Sequence, residues 1–263
     1  MYKYAYESTH MSRSDRIIGL LRSFLLYHAI PCRQARLRQL YTQFVSPGDL
    51  VFDVGAHAGN RTRALAAIGC HVIALEPQPD FARILRSLFA KSHGVQIIEA
   101  AVNETVGYAS LSISDRTPTI ATISKVWRVA CARNRVFSPA RWNRSIIVET
   151  TTLDTLIERF GIPEFIKIDV EGAEPNVLMG LSHPLPSLSF EYLPAALDYV
   201  GACVARLNKL GTYRFNWSVG ESYQLKVKRW ITGTELSSAL RTETAQRKSG
   251  DVYARLESSA PVE

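Results

Sequence analysis

Cysteine is scarce: Cys32, Cys70, Cys131 and Cys203 lie far apart in 263 residues, and none belongs to a Cys-x-x-Cys pair. That excludes a disulfide scaffold, offers no zinc framework, and suits a reducing, cytoplasmic setting. The six histidines lack metal-ligand spacing. No apolar run reaches the roughly 20 residues that span a bilayer; the N-terminal one, 17–30, is interrupted by Arg22. Asp15 and Arg16 precede that run and Pro31 follows it, unlike a secretory signal. It reads as an amphipathic helix packed on the domain, with surface association with a membrane as the alternative. Repeats and low-complexity tracts are also missing, and the composition excludes collagen-like and coiled-coil chains.

What is present is a globular composition, 46% hydrophobic and 21% charged, enough for a sizeable core. The 31 basic against 24 acidic side chains leave a net +7. That balance favours phosphate-bearing or acidic partners and says nothing about fold. The excess is concentrated: between Asp115 and Glu149 there is no acid, whereas Arg116, Lys125, Arg128, Arg133, Arg135, Arg141 and Arg144 are basic. Trp127, Phe137 and Trp142 are interleaved with them. Two readings stand level. One is a lid whose guanidinium groups hold phosphate or carboxylate and whose indoles stack on a sugar or base. The other is a solvated insertion with its aromatics tucked onto the core.

Short apolar runs at 50–54, 71–75, 95–100, 146–150, 165–170, 187–192 and 213–217 read as buried strands. A further strand is read at 108–113. Helical periodicity fills 34–45, 60–68, 80–91, 153–160, 174–181 and 195–210, while 114–144 shows no comparable regularity. Strands alternating with helices imply an α/β fold, with a doubly wound, mostly parallel, Rossmann-like sheet and helices on both faces. The expected organisation is an N-terminal helical extension (1–48), a central domain (49–225) carrying the basic aromatic insertion (114–145), and a polar C-terminal extension (226–263).

The first motif is Asp53-Val54-Gly55-Ala56-His57-Ala58-Gly59-Asn60, entered by a strand and left by a helix. Glycines here let backbone approach a ligand, and the helix start offers unpaired N–H groups. Glu76 follows Gly55 by 21 residues, at the end of the second strand, where an acid can accept both hydroxyls of a ribose. The spacing departs from the dinucleotide fingerprint. Asp53 would repel a pyrophosphate and attract a cation, which favours S-adenosylmethionine, with its ammonium and sulfonium, over a nicotinamide cofactor. The second motif is Phe165-Ile166-Lys167-Ile168-Asp169-Val170-Glu171-Gly172-Ala173-Glu174. If the strand stays extended, period-two geometry puts Asp169 and Glu171 on one side, facing the same crevice as the glycine turn. Glu174 is accounted for by helix-start chemistry.

With these motifs the chain resembles the FkbM family of S-adenosylmethionine-dependent methyltransferases. The resemblance rests on VFDVGAHAGNRTRALAAIGCHVIALEPQP, EAAVNETVGYASLSIS, TTLDTLIERFGIPEFIKIDVEGAEPNVLMGL and LSFEY, roughly 50–192. It implies a class I methyltransferase fold and, most often, methylation of hydroxyls on sugars, polyketides and similar small molecules. Asp53, Gly55, Ala56, His57, Gly59, Asn60, Glu76 and Pro77 would then surround the cofactor, with Ala101 and Val102 beside the adenine. Asp169, Glu171 and Glu191 would stand nearest the reacting centre. His57 replaces a common Asn and Arg61 a common aromatic or small residue, and no histidine base is assigned. Asp169 is the first candidate base, Glu171 the second, and Glu191 a substrate-positioning acid. Three carboxylates at strand ends allow a divalent ion without demanding one, so no metal is assigned. The expected acceptor is a small molecule or glycan, acidic ones included. A nucleic-acid acceptor ranks below it, because no RNA-binding module accompanies the charge, and a non-catalytic cofactor binder ranks last.

Overall fold

A computed structural model of the chain describes residues 32–132, 142–243 and 248–257. The expected helix at 17–30, the tail 258–263, and Arg133, Arg135, Phe137 and Arg141 lie outside these residues.

Chain order runs α1 (Arg33–Tyr41), β1 (Leu50–Val54), α2 (Asn60–Ile68), β2 (His71–Leu75), α3 (Pro79–Leu88), β3 (Val95–Ile98), β4 (Ala101–Val102) and β5 (Gly107–Ile113). Next come α4 (Lys125–Ala132), β6 (Arg144–Thr151), α5 (Leu153–Phe160), β7 (Phe165–Ile168), α6 (Glu174–Met179) and β8 (Ser187–Tyr192). The described chain closes with α7 (Leu197–Leu210), β9 (Tyr213–Val219), α8 (Gly233–Glu243) and β10 (Gly250–Leu256). The main sheet has seven strands in the order β3-β2-β1-β7-β8-β10-β9. The five from β3 to β8 are parallel, and β10 is antiparallel to both its neighbours. It is the expected α/β doubly wound sheet, with helices on both faces.

Alternation along each strand feeds two cores. Phe52, Val54, Ile166, Ile168, Leu188 and Phe190 pack against α5, α6, α7 and α8. Val51, Val72, Ala74, Phe165 and Tyr253 pack against α1, α2 and Leu85 of α3. The face toward α1 and α2 also carries a polar row: Asp53 stands opposite Lys167, which stands opposite Ser189. A polar row inside a sheet is costly unless its members satisfy one another, so it marks where chemistry sits.

Two expectations need correction. The strands expected at 108–113 and 146–150 leave the main sheet: β5 and β6 pair antiparallel and, with β4, form a separate three-stranded sheet. The insertion is not irregular throughout, because Ser124 Oγ accepts the Trp127 N–H at 3.1 Å and starts α4. The segment expected as a polar C-terminal extension, from residue 226, adds a helix and a strand to the described structure. α8 opens on a capping box, with Glu235 Oε2 accepting the Thr232 N–H at 2.7 Å, and leads to β10, the strand between β8 and β9. No helix among the described residues is long and apolar enough to cross a membrane.

Candidate active site

The glycine turn is built by what its residues cannot avoid. After β1 the chain reverses, and the Gly55 and Ala56 N–H groups donate to Leu75 O at 2.9 and 3.0 Å. Gly55 has φ of 83°, and a Cβ placed on it would lie 1.9 Å from the carbonyl oxygen of Asp169. Only glycine fits. The turn therefore rests directly on the end of β7, which fixes the glycine turn against the acidic motif. Gly55→Ala should cost about 2–4 kcal/mol of stability, from positive-φ strain plus a backbone clash. A denaturant titration checks this, and an unchanged midpoint would contradict the packing.

Glu76 ends β2 nearly buried. Its Oε2 accepts the His57 N–H and its Oε1 the Gln78 N–H, both at 2.8 Å. A carboxylate has about four lone-pair sites, so each oxygen keeps capacity for one more donor. Burial pushes this carboxyl up to about 7. Around it lies a cavity of about 530 Å³ whose lining includes Leu75, Pro77, Ala101, Val102, Leu111 and Ile123. A carboxylate acceptor beside apolar walls is the combination that a ribose joined to a flat base requires.

A second cavity, of about 670 Å³, adjoins the first through Gly55, His57, Thr119, Asp169 and Glu171. Asp53, Ala56, Asn60, Arg61, Glu191 and Glu221 also line it. Asp53 is buried and accepts from Thr62 Oγ1 at 2.5 Å, tying α2 to β1; burial raises its pKa. Asn60 Oδ1 accepts from Gln34 Nε2 at 2.5 Å, which ties in α1. The His57 ring lies 3.9 Å from that of Phe81, and burial drops its pKa to about 3, so it is a neutral wall and no base. Gly59 lines neither cavity. It turns the chain into α2 with φ of 78°.

Asp169, Glu171 and Glu191 do converge: an oxygen of each lies within 4.8 Å of the others, a spacing at which a cation can also be held. The route differs from the extended strand expected. β7 ends at Ile168, and Glu171 sits at φ of 54°, so a turn brings it round. Thr122 Oγ1 secures that turn by donating to Glu171 O at 2.7 Å, and Glu174 Oε1 accepts the Val170 N–H at 3.1 Å. Glu174 is therefore structural. Burial, then the neighbouring carboxylates, push both Glu171 and Glu191 well above the usual carboxylate range.

Three residues of this site escaped sequence reasoning. Lys167 Nζ, fully buried, lies 2.9 Å from Asp251 Oδ1 and 3.3 Å from Asp169 Oδ2. Arg61 Nη2 stands 3.5 Å from Asp251 Oδ2. Burial opposes the charge on Lys167, yet Asp169 and Asp251 hold its pKa above the ordinary lysine value. The available signal was a lysine inside an apolar parallel strand, since such residues are seldom buried unpaired.

Of the two readings of the insertion, its described residues follow the second, with aromatics tucked onto the core. Trp127 is buried, and its ring occupies the space that a Cβ on Gly172 would need. The Trp142 indole donates to Ile120 O at 3.0 Å. Arg144 pairs with Asp115 at 3.0 Å and Asp80 at 3.9 Å. These groups serve packing; Thr119, Ala121, Thr122 and Ile123 do the lining.

A family model described as the Methyltransferase FkbM domain matches residues 53–199, more than half of the chain. The chain belongs to the FkbM methyltransferase family. Its methyl donor is S-adenosylmethionine. The sequence matches no curated protein. Among solved structures it is similar to a putative O-methyltransferase from Klebsiella pneumoniae, with 10% identity, a TM-score of 0.47, and coverage of 95% of this chain and 92% of that one. An O-methyltransferase from Bacillus cereus in complex with SAH gives 13% identity, TM-score 0.43, and 95% and 93% coverage. An rRNA methylase from Streptococcus thermophilus gives 11% identity, TM-score 0.42, and 84% and 94% coverage.

Proposed function

We propose that this FkbM-family enzyme methylates a hydroxyl group of a neutral small molecule or glycan in the cytoplasm, with Asp169 as the proton acceptor. The observation that carries this is the position of Asp169 on the wall shared by the two cavities. One cavity has the lining an adenosine needs, and the other, beside it, would take the amino-acid end of the donor and the acceptor hydroxyl.

S-adenosylmethionine supplies an electrophilic methyl group on a sulfonium. Glu76 would accept hydrogen bonds from the ribose hydroxyls, while Pro77, Ala101 and Val102 would give the adenine apolar walls. Asp53 would offer negative charge toward the ammonium, and Ala56 and Asn60 would line the same end. Asp169 takes the proton of the acceptor hydroxyl. Glu171 and Glu191, whose carboxylates converge on that of Asp169, orient the hydroxyl as it approaches. Alignment by these side chains and exclusion of water supply the rest of the catalysis.

The acids lining the second cavity are Asp53, Asp169, Glu171, Glu191 and Glu221, and among the described residues Arg61 is its one lining residue with a basic, charged side chain. That field favours a neutral hydroxyl compound over an anionic acceptor or a nucleic acid. Cys32, Cys70 and Cys203 are free thiols, the form that a reducing compartment keeps. Transfer of label from methyl-tritiated donor to a panel of methyl glycosides and cyclitols, run beside total RNA, tests the reading. Label in the hydroxyl compounds supports it. Label in RNA alone overturns it.

A further inference from the structure

Lysine buried in the middle of a sheet, with no path to water, needs a reason. Lys167 is 0% exposed and Asp251 is 4% exposed. Besides its two carboxylates, Lys167 Nζ donates to Ile168 O at 3.1 Å, so its three N–H groups have three partners. Asp251 comes from β10, the strand inserted between β8 and β9, where it stands opposite Glu191. Its other oxygen faces Arg61 at 3.5 Å and the Tyr253 hydroxyl at 3.4 Å. Asp251 thus gathers both cations, and both reach the same atom beyond it. Lys167 Nζ is 3.3 Å and Arg61 Nε 3.9 Å from Asp169 Oδ2. Asp169 Oδ1 makes no hydrogen bond or ion pair among the described residues, and this side chain remains 29% exposed at the cavities.

We infer that Lys167, anchored by Asp251, is a positioning residue for methyl transfer: it pins Asp169 by Oδ2 and presents Oδ1 to the acceptor hydroxyl. The inference rests on the reading of Asp169 as the base. In the step it serves, the hydroxyl oxygen forms a bond to the methyl carbon as the carbon–sulfur bond breaks. The electron pair of that bond stays on sulfur, which becomes a neutral thioether, and the hydroxyl proton passes to Asp169 Oδ1. A carboxylate free to rotate would spend much of its time with neither oxygen in line. Misplacement by about 1 Å at such a site costs on the order of a hundredfold in rate.

The test combines turnover with structure. Lys167→Met, Lys167→Arg, Asp251→Asn, Asp169→Asn and the Lys167→Met/Asp169→Asn double variant are compared on the best glycoside or cyclitol acceptor. S-adenosylhomocysteine affinity by calorimetry shows which variants keep the folded cofactor site. Lys167→Met should lower kcat about a hundredfold, with acceptor KM and S-adenosylhomocysteine affinity within about threefold of wild type. Asp251→Asn should lower kcat in the same way, and Lys167→Arg should largely restore it. In the Asp169→Asn background, Lys167→Met should cost nothing further, because the group it positions is already gone.

An equal loss from Lys167→Met in both backgrounds, or a loss of cofactor affinity instead of kcat, overturns the positioning role and leaves the base intact. Wild-type turnover by Asp169→Asn overturns the base itself. Crystals of the S-adenosylhomocysteine complex give a readout independent of any acceptor. The Asp169 carboxylate should hold one orientation in wild type and the Lys167→Arg variant, and should turn in Asp251→Asn. An unmoved carboxylate in Asp251→Asn overturns the inference.

Discussion

Asp169→Asn lowers kcat by about a thousandfold while S-adenosylhomocysteine binds nearly as before. A base removed from a proton-transfer step costs between about a hundredfold and ten-thousandfold, and the amide keeps the shape of the side chain without its basicity. The contrast lies with its neighbours. Asp169 is held in orientation by two cations, whereas Glu171 and Glu191 are raised above the ordinary carboxylate range by burial and then by neighbouring carboxylates, Asp169 among them. Glu171→Gln should therefore cost about tenfold or less, the loss of an orienting contact. Single-turnover kinetics with saturating donor measures both. Equal losses in the two variants would move the base to Glu171 or spread the role over the pair.

Glu76→Ala weakens S-adenosylhomocysteine binding about a hundredfold or more. Two hydrogen bonds to a charged group, at about 1.5–3 kcal/mol each, disappear together. The His57 and Gln78 N–H groups that Glu76 now accepts are also released, so the turn loosens with the loss. Because burial lifts this carboxyl to about 7, affinity in the wild type should itself depend on pH. The ribose hydroxyls donate, so they prefer the ionised form, and affinity should rise about tenfold from pH 6 to pH 8. The stability of the cofactor-free protein should run the other way. A carboxyl with a raised folded pKa contributes most below its unfolded value near 4.5 and loses that contribution as pH rises through about 7. Calorimetry across that range checks both signs, and Glu76→Gln should flatten the binding profile.

The parts of this site that can be read in the sequence are the local ones. The turn from Gly55 to Gly59 and the acid at Glu76 are each set by residues close in the chain, at the end of one strand and the start of one helix. Buried parallel strands such as β1, β2 and β7 announce themselves because both faces are apolar. The network behind Asp169 is of another kind. Lys167 meets Asp251 only because β10 enters the sheet antiparallel between β8 and β9. β10 hides that role by carrying Asp251 and Arg255 among Val252, Tyr253 and Ala254, so it reads as an ordinary polar segment. The convergence of Asp169 and Glu171 was visible, but its cause was not. A residue at positive φ cannot be foreseen from Glu171 itself, only from Gly172 behind it and the Trp127 ring that fills the space there.

Everything proposed here requires the donor to lie across the two joined cavities, ribose on Glu76 and sulfur toward Asp169. A crystal structure of the S-adenosylhomocysteine complex tests that most directly. It should show both ribose hydroxyls on the Glu76 carboxylate, the adenine between Pro77 and Ala101–Val102, and the sulfur closer to Asp169 than to any other carboxylate. Ribose hydroxyls bonded elsewhere, or a sulfur turned away from Asp169, would contradict it.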